Sequence, residues 1–98
     1  MNDTVVISAA AMSTTDIMRE RLAALQPESV EILDESGLHI GHVGARDGGG
    51  HYQLIIVSPL FAQQSMQARH RMVYSALADL LQKKIHALAI KAYAPGEI

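Results

Sequence analysis

The fold of this chain is decided by residues 52–93, which read YQLIIVSPLFAQQSMQARHRMVYSALADLLQKKIHALAIKAY. The unbroken apolar run in residues 52–58 predicts a strand in the middle of a sheet, and Pro59 ends it. Residues 86–93 alternate between two sets of side chains and predict a parallel strand, reached by a right-handed crossover. The crossover is predicted to be one long helix over residues 64–82, with five apolar side chains on one face: Met66, Val73, Leu77, Leu80 and Leu81.

The residues before this stretch complete the predicted sheet. Residues 30–34 carry β-branched residues at alternate positions and predict a strand that pairs antiparallel with residues 52–58. Ser13 and Asp16 stand at capping-box spacing at the start of a first helix, over residues 15–25, which ends before Pro27. The chain is thus predicted to be an α+β domain in which the helices cover one face of a mixed three-stranded sheet.

The composition fits one small domain and narrows its chemistry. The chain has 98 residues, of which 49% are apolar and none is cysteine. It therefore has no disulfide framework, no self-contained thiolate site for zinc or an iron–sulfur cluster, and no cysteine nucleophile. We expect residues 1–13 to be a flexible extension and residues 14–98 to be the domain. No secretion signal and no run of roughly 20 apolar residues is evident, which predicts a cytoplasmic protein without membrane contact.

Charge is distributed unevenly along the chain. Residues 1–60 carry 3 basic and 8 acidic side chains, whereas residues 61–93 carry 5 basic and 1 acidic, although the net charge is only -2. A basic C-terminal half attracts phosphate or an acidic protein surface, but charge alone does not choose between these partners. Ordinary solvated side chains are the simpler explanation.

A long loop is predicted between the first two strands, over residues 37–50. It holds six of the seven glycines and two histidines, His39 and His42, and His51 borders it. Loops of this length are usually functional or disordered, and neutral imidazole binds zinc and iron. The spacing of these histidines is nevertheless nonspecific, and exposed loop histidines are the more frequent case. Because no HExxH motif or comparable ligand set is present, a metal hydrolase is rejected and no enzymatic activity is predicted.

The two remaining histidines are assigned to the interior on spacing alone. His70 lies four residues after Met66 and three before Val73, which points it toward the apolar stripe of the long helix. A half-buried histidine, hydrogen-bonded to the backbone, is the favoured interpretation. His86 shares its strand parity with Leu88, so a core histidine is favoured over a site residue at the sheet edge.

Arg69 and Arg71, on either side of His70, form the most concentrated basic element. Each lies about 100° from His70 around the helix axis. Both are therefore predicted to reach solvent, an acidic partner or phosphate.

Several motifs of the chain resemble the BolA family. They are Asp34-Glu35-Ser36, Phe61, Arg69-His70-Arg71-Met72-Val73-Tyr74, Leu77 and Ile85-His86-Ala87-Leu88-Ala89-Ile90. The resemblance runs from about Thr15 to Glu97 and keeps the spacing from Phe61 to the RHR triplet and on to the IHAL strand. It implies a class II KH-like αββααβ sandwich, in agreement with the element order predicted above.

The resemblance also implies a function in iron homeostasis and iron–sulfur cluster trafficking. A BolA-like chain pairs with a monothiol glutaredoxin, and the two share a bridged 2Fe-2S cluster that the isolated chain does not hold. The glutaredoxin cysteine and a glutathione thiol supply sulfur, and the BolA-like chain supplies imidazole. His86 matches the family's invariant histidine, and His39 best matches the loop ligand; His42 and His51 are the alternatives.

Some BolA-like proteins are described as DNA-binding regulators of morphology and stress genes, which gives a second hypothesis. The residues predicted to contact DNA or a protein partner are Arg69, His70, Arg71, Lys83, Lys84 and Lys91. Two features weaken the DNA hypothesis. The turn over residues 59–64 lacks the glycine of a nucleic-acid-binding KH motif, and the net charge is slightly acidic, so nonspecific DNA affinity should be weak and salt-dependent.

Overall fold

A computed structural model describes residues 12–36 and 50–98 of the chain. Its strands are β1 (Ser29–Asp34), β2 (Gly50–Val57) and β3 (Ile85–Tyr93). Its α-helices are α1 (Thr14–Leu22), α2 (Met66–Ala76) and α3 (Ala78–Leu81). Two short 3₁₀ turns complete the described part: Ala23–Leu25, which follows α1, and Pro59–Phe61, which follows β2.

Helix α1 begins within one residue of its predicted start, but it ends at Leu22, and the last three residues of the predicted helix form the 3₁₀ turn Ala23–Leu25 instead. The Ser13 hydroxyl accepts a hydrogen bond from the Asp16 amide at 3.2 Å, and the Asp16 carboxylate accepts one from the Ser13 amide at 3.2 Å. This reciprocal capping box satisfies two backbone donors that a helix start leaves unpaired. After the 3₁₀ turn, Gln26 adopts a left-handed conformation with φ 53°, and Pro27 prevents the helix from continuing.

The sheet is mixed, in the order β1-β2-β3. Strand β1 runs antiparallel to β2 with Ser29 opposite Val57, and β2 runs parallel to β3 with Val57 opposite Tyr93. The predicted mixed α+β topology is therefore confirmed. The 3₁₀ turn after β2 together with α2 and α3 makes the crossover between the two parallel strands.

The core lies between one face of the sheet and the helices. Every second residue of β2 from Gly50 to Ile56 is buried, whereas the residues between them are only half-buried. The largest fully buried apolar side chains come from the sheet, from the helices and from the turn after β2: Met18, Leu22, Leu54, Ile56, Phe61, Val73 and Leu77. The helices therefore cover one face of the sheet, as the sequence predicts, and leave the outward residues of β2 and β3 on the other.

The predicted single helix over residues 64–82 is wrong in its continuity. It is divided into α2 and α3 at Leu77, whose φ of -105° and ψ of 12° leave the helical region. Leu77 is nevertheless fully buried, so the break keeps an apolar residue on the core face. Met66 is 53% exposed because it is the first residue of α2 and lies about 10 Å before Val73 along the axis.

None of the helices in the two described ranges is long and apolar enough to cross a membrane.

Candidate functional site

Two histidines from neighbouring strands meet at the end of the sheet where β2 and β3 begin. His51 is the second residue of β2, and His86 is the second residue of β3. The centroids of their imidazole rings are 5.1 Å apart, and the ring planes are tilted by 41°. His86 is exposed and His51 is half-buried. We call this arrangement the histidine pair.

A β-bulge turns His86 out of the core. Gly50 lies opposite Ile85, but the next residue, His51, lies opposite Ala87, so that β3 carries one extra residue at this point. Ile85 takes the inward position and is only 5% exposed, while His86 faces outward. The prediction of a core histidine, which assumed an unbroken alternation with Leu88, is therefore wrong.

The backbone of His51 is held by a turn formed by Asp34, Glu35 and Ser36, which we call the Asp34–Ser36 turn. The His51 amide donates to the Ser36 hydroxyl at 2.9 Å, and the His51 carbonyl accepts from the Glu35 amide at 2.8 Å. The Ser36 amide in turn donates to the Asp34 carboxylate at 2.9 Å. Both backbone hydrogen-bonding groups of His51 are thus fixed by one three-residue motif.

Gly50 fixes the start of β2 next to the bulge. Its amide donates to the Lys84 carbonyl at 2.9 Å, which ties β2 to the turn that precedes β3. A Cβ atom at this position would overlap the Tyr52 ring, which packs directly against the Gly50 backbone. The Tyr52 ring or the start of β2 would have to move to accept a larger residue at this position.

The described residues supply two imidazoles to this site and no complete metal-binding set. Among residues 12–36 and 50–98, no three His, Cys, Asp or Glu side chains come close enough to hold a metal ion. An exposed imidazole suits iron, and the remaining ligand positions would have to be filled from elsewhere. The predicted ligand His39 and its alternative His42 lie outside the described residues, whereas the alternative His51 adjoins His86.

Arg69 does not reach solvent, contrary to the prediction. Its side chain is 7% exposed, and two of its nitrogens donate to the Glu97 carboxylate, at 2.6 and 2.9 Å. It also donates to the carbonyls of Ala92 and Gln64, both at 3.0 Å. A guanidinium enclosed in this way is not available to phosphate or to a partner surface, so the assignment of Arg69 to such a surface is wrong.

The helical spacing misjudged Arg69 because two of its three acceptor residues, Ala92 and Glu97, are distant in sequence. It lies on α2 on the same face as Val73 and is one of the two polar residues buried in the described part of the chain. The pKa of the Glu97 carboxyl is lowered to about 2, first by the hydrogen bonds from Arg69 and then by that from the Ala94 amide. Sequence reasoning missed Glu97, which is 28 residues away and follows a Pro-Gly turn.

The other predicted basic residues are accessible. Arg71, Lys83, Lys84 and Lys91 are exposed, and none of the ion pairs within the described ranges involves them. His70 is half-buried, as expected from its spacing. Arg71 lines a groove of about 650 Å³ between α2 and the turn after α1, whose other lining residues are mostly apolar or small: Ala24, Leu25, Gln64, Ala68, Met72, Ser75 and Ala76.

Comparisons with known proteins match both the sequence and the fold. The family model described as BolA-like protein matches residues 22–97. The DNA-binding transcriptional regulator BolA of Escherichia coli (strain K12) is 38% identical over 82 residues, which cover 79% of this chain and 75% of that protein. An uncharacterized protein in the cobS 5' region of a Sinorhizobium species is 42% identical over 89 residues, or 88% of this chain and 96% of that protein.

Among solved structures, the BolA domain of SufE1 from Arabidopsis thaliana superposes with a TM-score of 0.73. The two sequences are 37% identical, and the match covers 90% of this chain and 100% of that domain. Fold, family model and relatives agree with the motifs in the sequence, and we conclude that the chain belongs to the BolA family.

Proposed function

We propose that this chain is a non-enzymatic adaptor in iron homeostasis and iron–sulfur cluster trafficking, which forms a heterodimer with a monothiol glutaredoxin around a shared 2Fe-2S cluster. The observation that carries the proposal is the outward position of His86. A bulge takes the ring out of the core, and a second imidazole lies 5.1 Å from it. Bulges are conserved devices that re-aim side chains next to functional sites.

The ligand types support a site shared between two proteins. The chain has no cysteine, so any thiolate on the cluster has to come from the partner or from glutathione. His86 is the ligand proposed from this chain, and His39 is the second ligand that the family resemblance implies. Imidazole ligation in place of thiolate removes negative charge and raises the reduction potential of a cluster. The cluster is in this view a cargo that is carried and released.

Reconstitution with purified components tests this function. The chain would be mixed with a monothiol glutaredoxin, iron, sulfide and glutathione, and the product followed by visible circular dichroism and native mass. We expect a heterodimer spectrum that differs from that of the glutaredoxin homodimer, that is lost in His86→Ala and that is altered in His39→Ala. If the chain neither binds the glutaredoxin nor changes its spectrum, the adaptor function is refuted.

Regulation of transcription by DNA binding is the second candidate function. The Escherichia coli relative carries that function in its name, and four cations of this chain are exposed without an ion pair in the described part: Arg71, Lys83, Lys84 and Lys91. A gel shift on a promoter fragment at two salt concentrations tests it. DNA binding would weaken as salt rises, since each phosphate contact releases counterions. The cytoplasmic location stays a prediction from sequence.

A further inference from the structure

We propose that His51, held by the Asp34–Ser36 turn, is a positioning residue that fixes the orientation of the His86 imidazole. This inference rests on the proposed function for its biological meaning, but its physical content concerns the isolated chain. It gives a purpose to the Asp34-Glu35-Ser36 sequence, and it assigns His51 a role other than that of the alternative ligand named above.

The burial of the two rings assigns them different tasks. His86 is exposed, so its ring is accessible to a partner, whereas His51 is half-buried next to it. The centroid separation of 5.1 Å with tilted planes is a direct ring contact, and aromatic rings stack in this distance range. A side chain at the exposed edge of a sheet otherwise has several rotamers of similar energy. Contact with His51 restricts that choice for His86.

The Asp34–Ser36 turn makes His51 a rigid support. The hydrogen bonds from the His51 amide to Ser36 and from the Glu35 amide to the His51 carbonyl, at 2.9 and 2.8 Å, act on both sides of the residue. The Asp34 carboxylate orients Ser36, because it accepts a hydrogen bond from the Ser36 amide at 2.9 Å. The turn therefore transmits the position of the end of β1 to the ring beside His86. Groups that orient a ligand from behind commonly affect metal affinity.

A matched set of substitutions distinguishes a support from a second ligand. His51→Phe keeps a flat ring and removes both nitrogens, whereas His51→Ala removes the ring. Ser36→Ala removes the hydroxyl acceptor, and Ser36→Thr retains it. Ser29→Ala is the control, because Ser29 is an exposed serine at the opposite end of β1 with no side-chain hydrogen bond in the described structure.

The first measurement uses the isolated chain without metal. Carbon-13 NMR relaxation measures how rigidly the His86 ring is held. Nuclear Overhauser effects between Tyr52 and Leu88, which lie opposite each other in β2 and β3, confirm that the sheet is intact. We expect an ordered His86 ring in the wild type, His51→Phe, Ser36→Thr and Ser29→Ala. The ring should become mobile in His51→Ala and in Ser36→Ala.

The second measurement is the rate of cluster loss from the reconstituted heterodimer. It should rise about tenfold in His51→Ala, the size typical of residues that orient a metal ligand, and stay near the wild-type rate in His51→Phe. If His51→Phe loses the cluster as completely as His86→Ala, His51 is a ligand and the proposal is overturned. An unchanged His86 ring order in His51→Ala also overturns it. If no cluster forms on the wild type, the adaptor function fails, while the relaxation result still decides the positioning.

Discussion

Arg69 and Glu97, 28 residues apart in sequence, form a two-pronged ion pair that fastens the C-terminal segment to helix α2 and to the end of strand β3. The Arg69 side chain is 7% exposed and the Glu97 side chain is 42% exposed. Arg69, the first arginine of the RHR motif, therefore stabilises the fold through this ion pair.

Replacing Glu97 by alanine should therefore destabilise the fold. The Arg69 guanidinium would keep its two carbonyl acceptors but lose its charged partner, and a partly buried donor that loses its acceptor is costly. We expect the melting temperature to fall by roughly 5–10 °C, a range that fits a domain of this size. Glu28→Ala, at an exposed glutamate with no ion pair in the described part, is the control. Equal melting temperatures for Glu97→Ala and the control would contradict the account.

The same pair should make stability depend on acid. The folded-state pKa of Glu97 is about 2, below its ordinary value of 4.5. A carboxyl whose pKa is lowered by folding stabilises the folded state fully when the pH is above its ordinary pKa. This stabilisation disappears as the pH falls from about 4.5 toward 2. Glu97→Gln cannot titrate at this position, so the advantage of the wild type over this variant should be full at neutral pH and should shrink below about pH 4. Urea unfolding of both proteins across this range measures it, and a constant advantage would be evidence against the pair.

The packing of Tyr52 on Gly50 predicts a large effect of one added methyl group. In Gly50→Ala the new Cβ would overlap the Tyr52 ring, and relief requires the ring or the start of β2 to move. We expect a loss of about 1–3 kcal/mol in the free energy of unfolding, as for other overpacked sites. In a Tyr52→Leu background the added methyl should cost less, because the ring is gone. If urea unfolding shows that the two substitutions have additive effects on the free energy of unfolding, overlap with the Tyr52 ring is not the cause of the loss.

Ser58 should be intolerant of change although it is small and polar. It is fully buried, and its hydroxyl donates to the Leu25 carbonyl at 2.6 Å and accepts from the Leu60 amide at 3.1 Å. Ser58 thus joins the 3₁₀ turn that follows α1 to the 3₁₀ turn that follows β2. Ser58→Ala leaves both backbone groups without this partner and should cost about 1–3 kcal/mol. Urea unfolding beside Ser29→Ala tests this, and equal stabilities would refute the bridging role.

The order of the elements could be predicted from the sequence because its signals are local. The Leu54–Val57 run, the capping box at Ser13 and the stops at Pro27 and Pro59 each act within a few residues. The mixed sheet follows from those elements through the crossover rule. Local patterns therefore sufficed for the topology.

The candidate site could be predicted only in part, since its geometry depends on contacts between distant segments. His86 faces outward because of a shift in register between β2 and β3, whose first residues are 35 positions apart, and no alternation pattern within β3 reveals it. Arg69 is buried because Glu97 reaches it from beyond a turn. The family resemblance pointed to His86 as a candidate where the spacing argument did not, and it offered His51 only as an alternative to His39.

Substitutions of the two arginines of the RHR motif should have different effects on the melting temperature and on DNA affinity. Arg71 is exposed and free of ion pairs within the described ranges, so Arg71→Ala should leave the melting temperature unchanged. If the basic helix contacts DNA, this variant should reduce the slope of the logarithm of DNA affinity against the logarithm of salt concentration by about one. Arg69→Ala should instead lower the melting temperature, because it removes the buried partner of Glu97. Gel shifts and thermal unfolding of both variants decide the matter: a normal melting temperature in Arg69→Ala, together with a reduced salt slope, would return Arg69 to the binding surface.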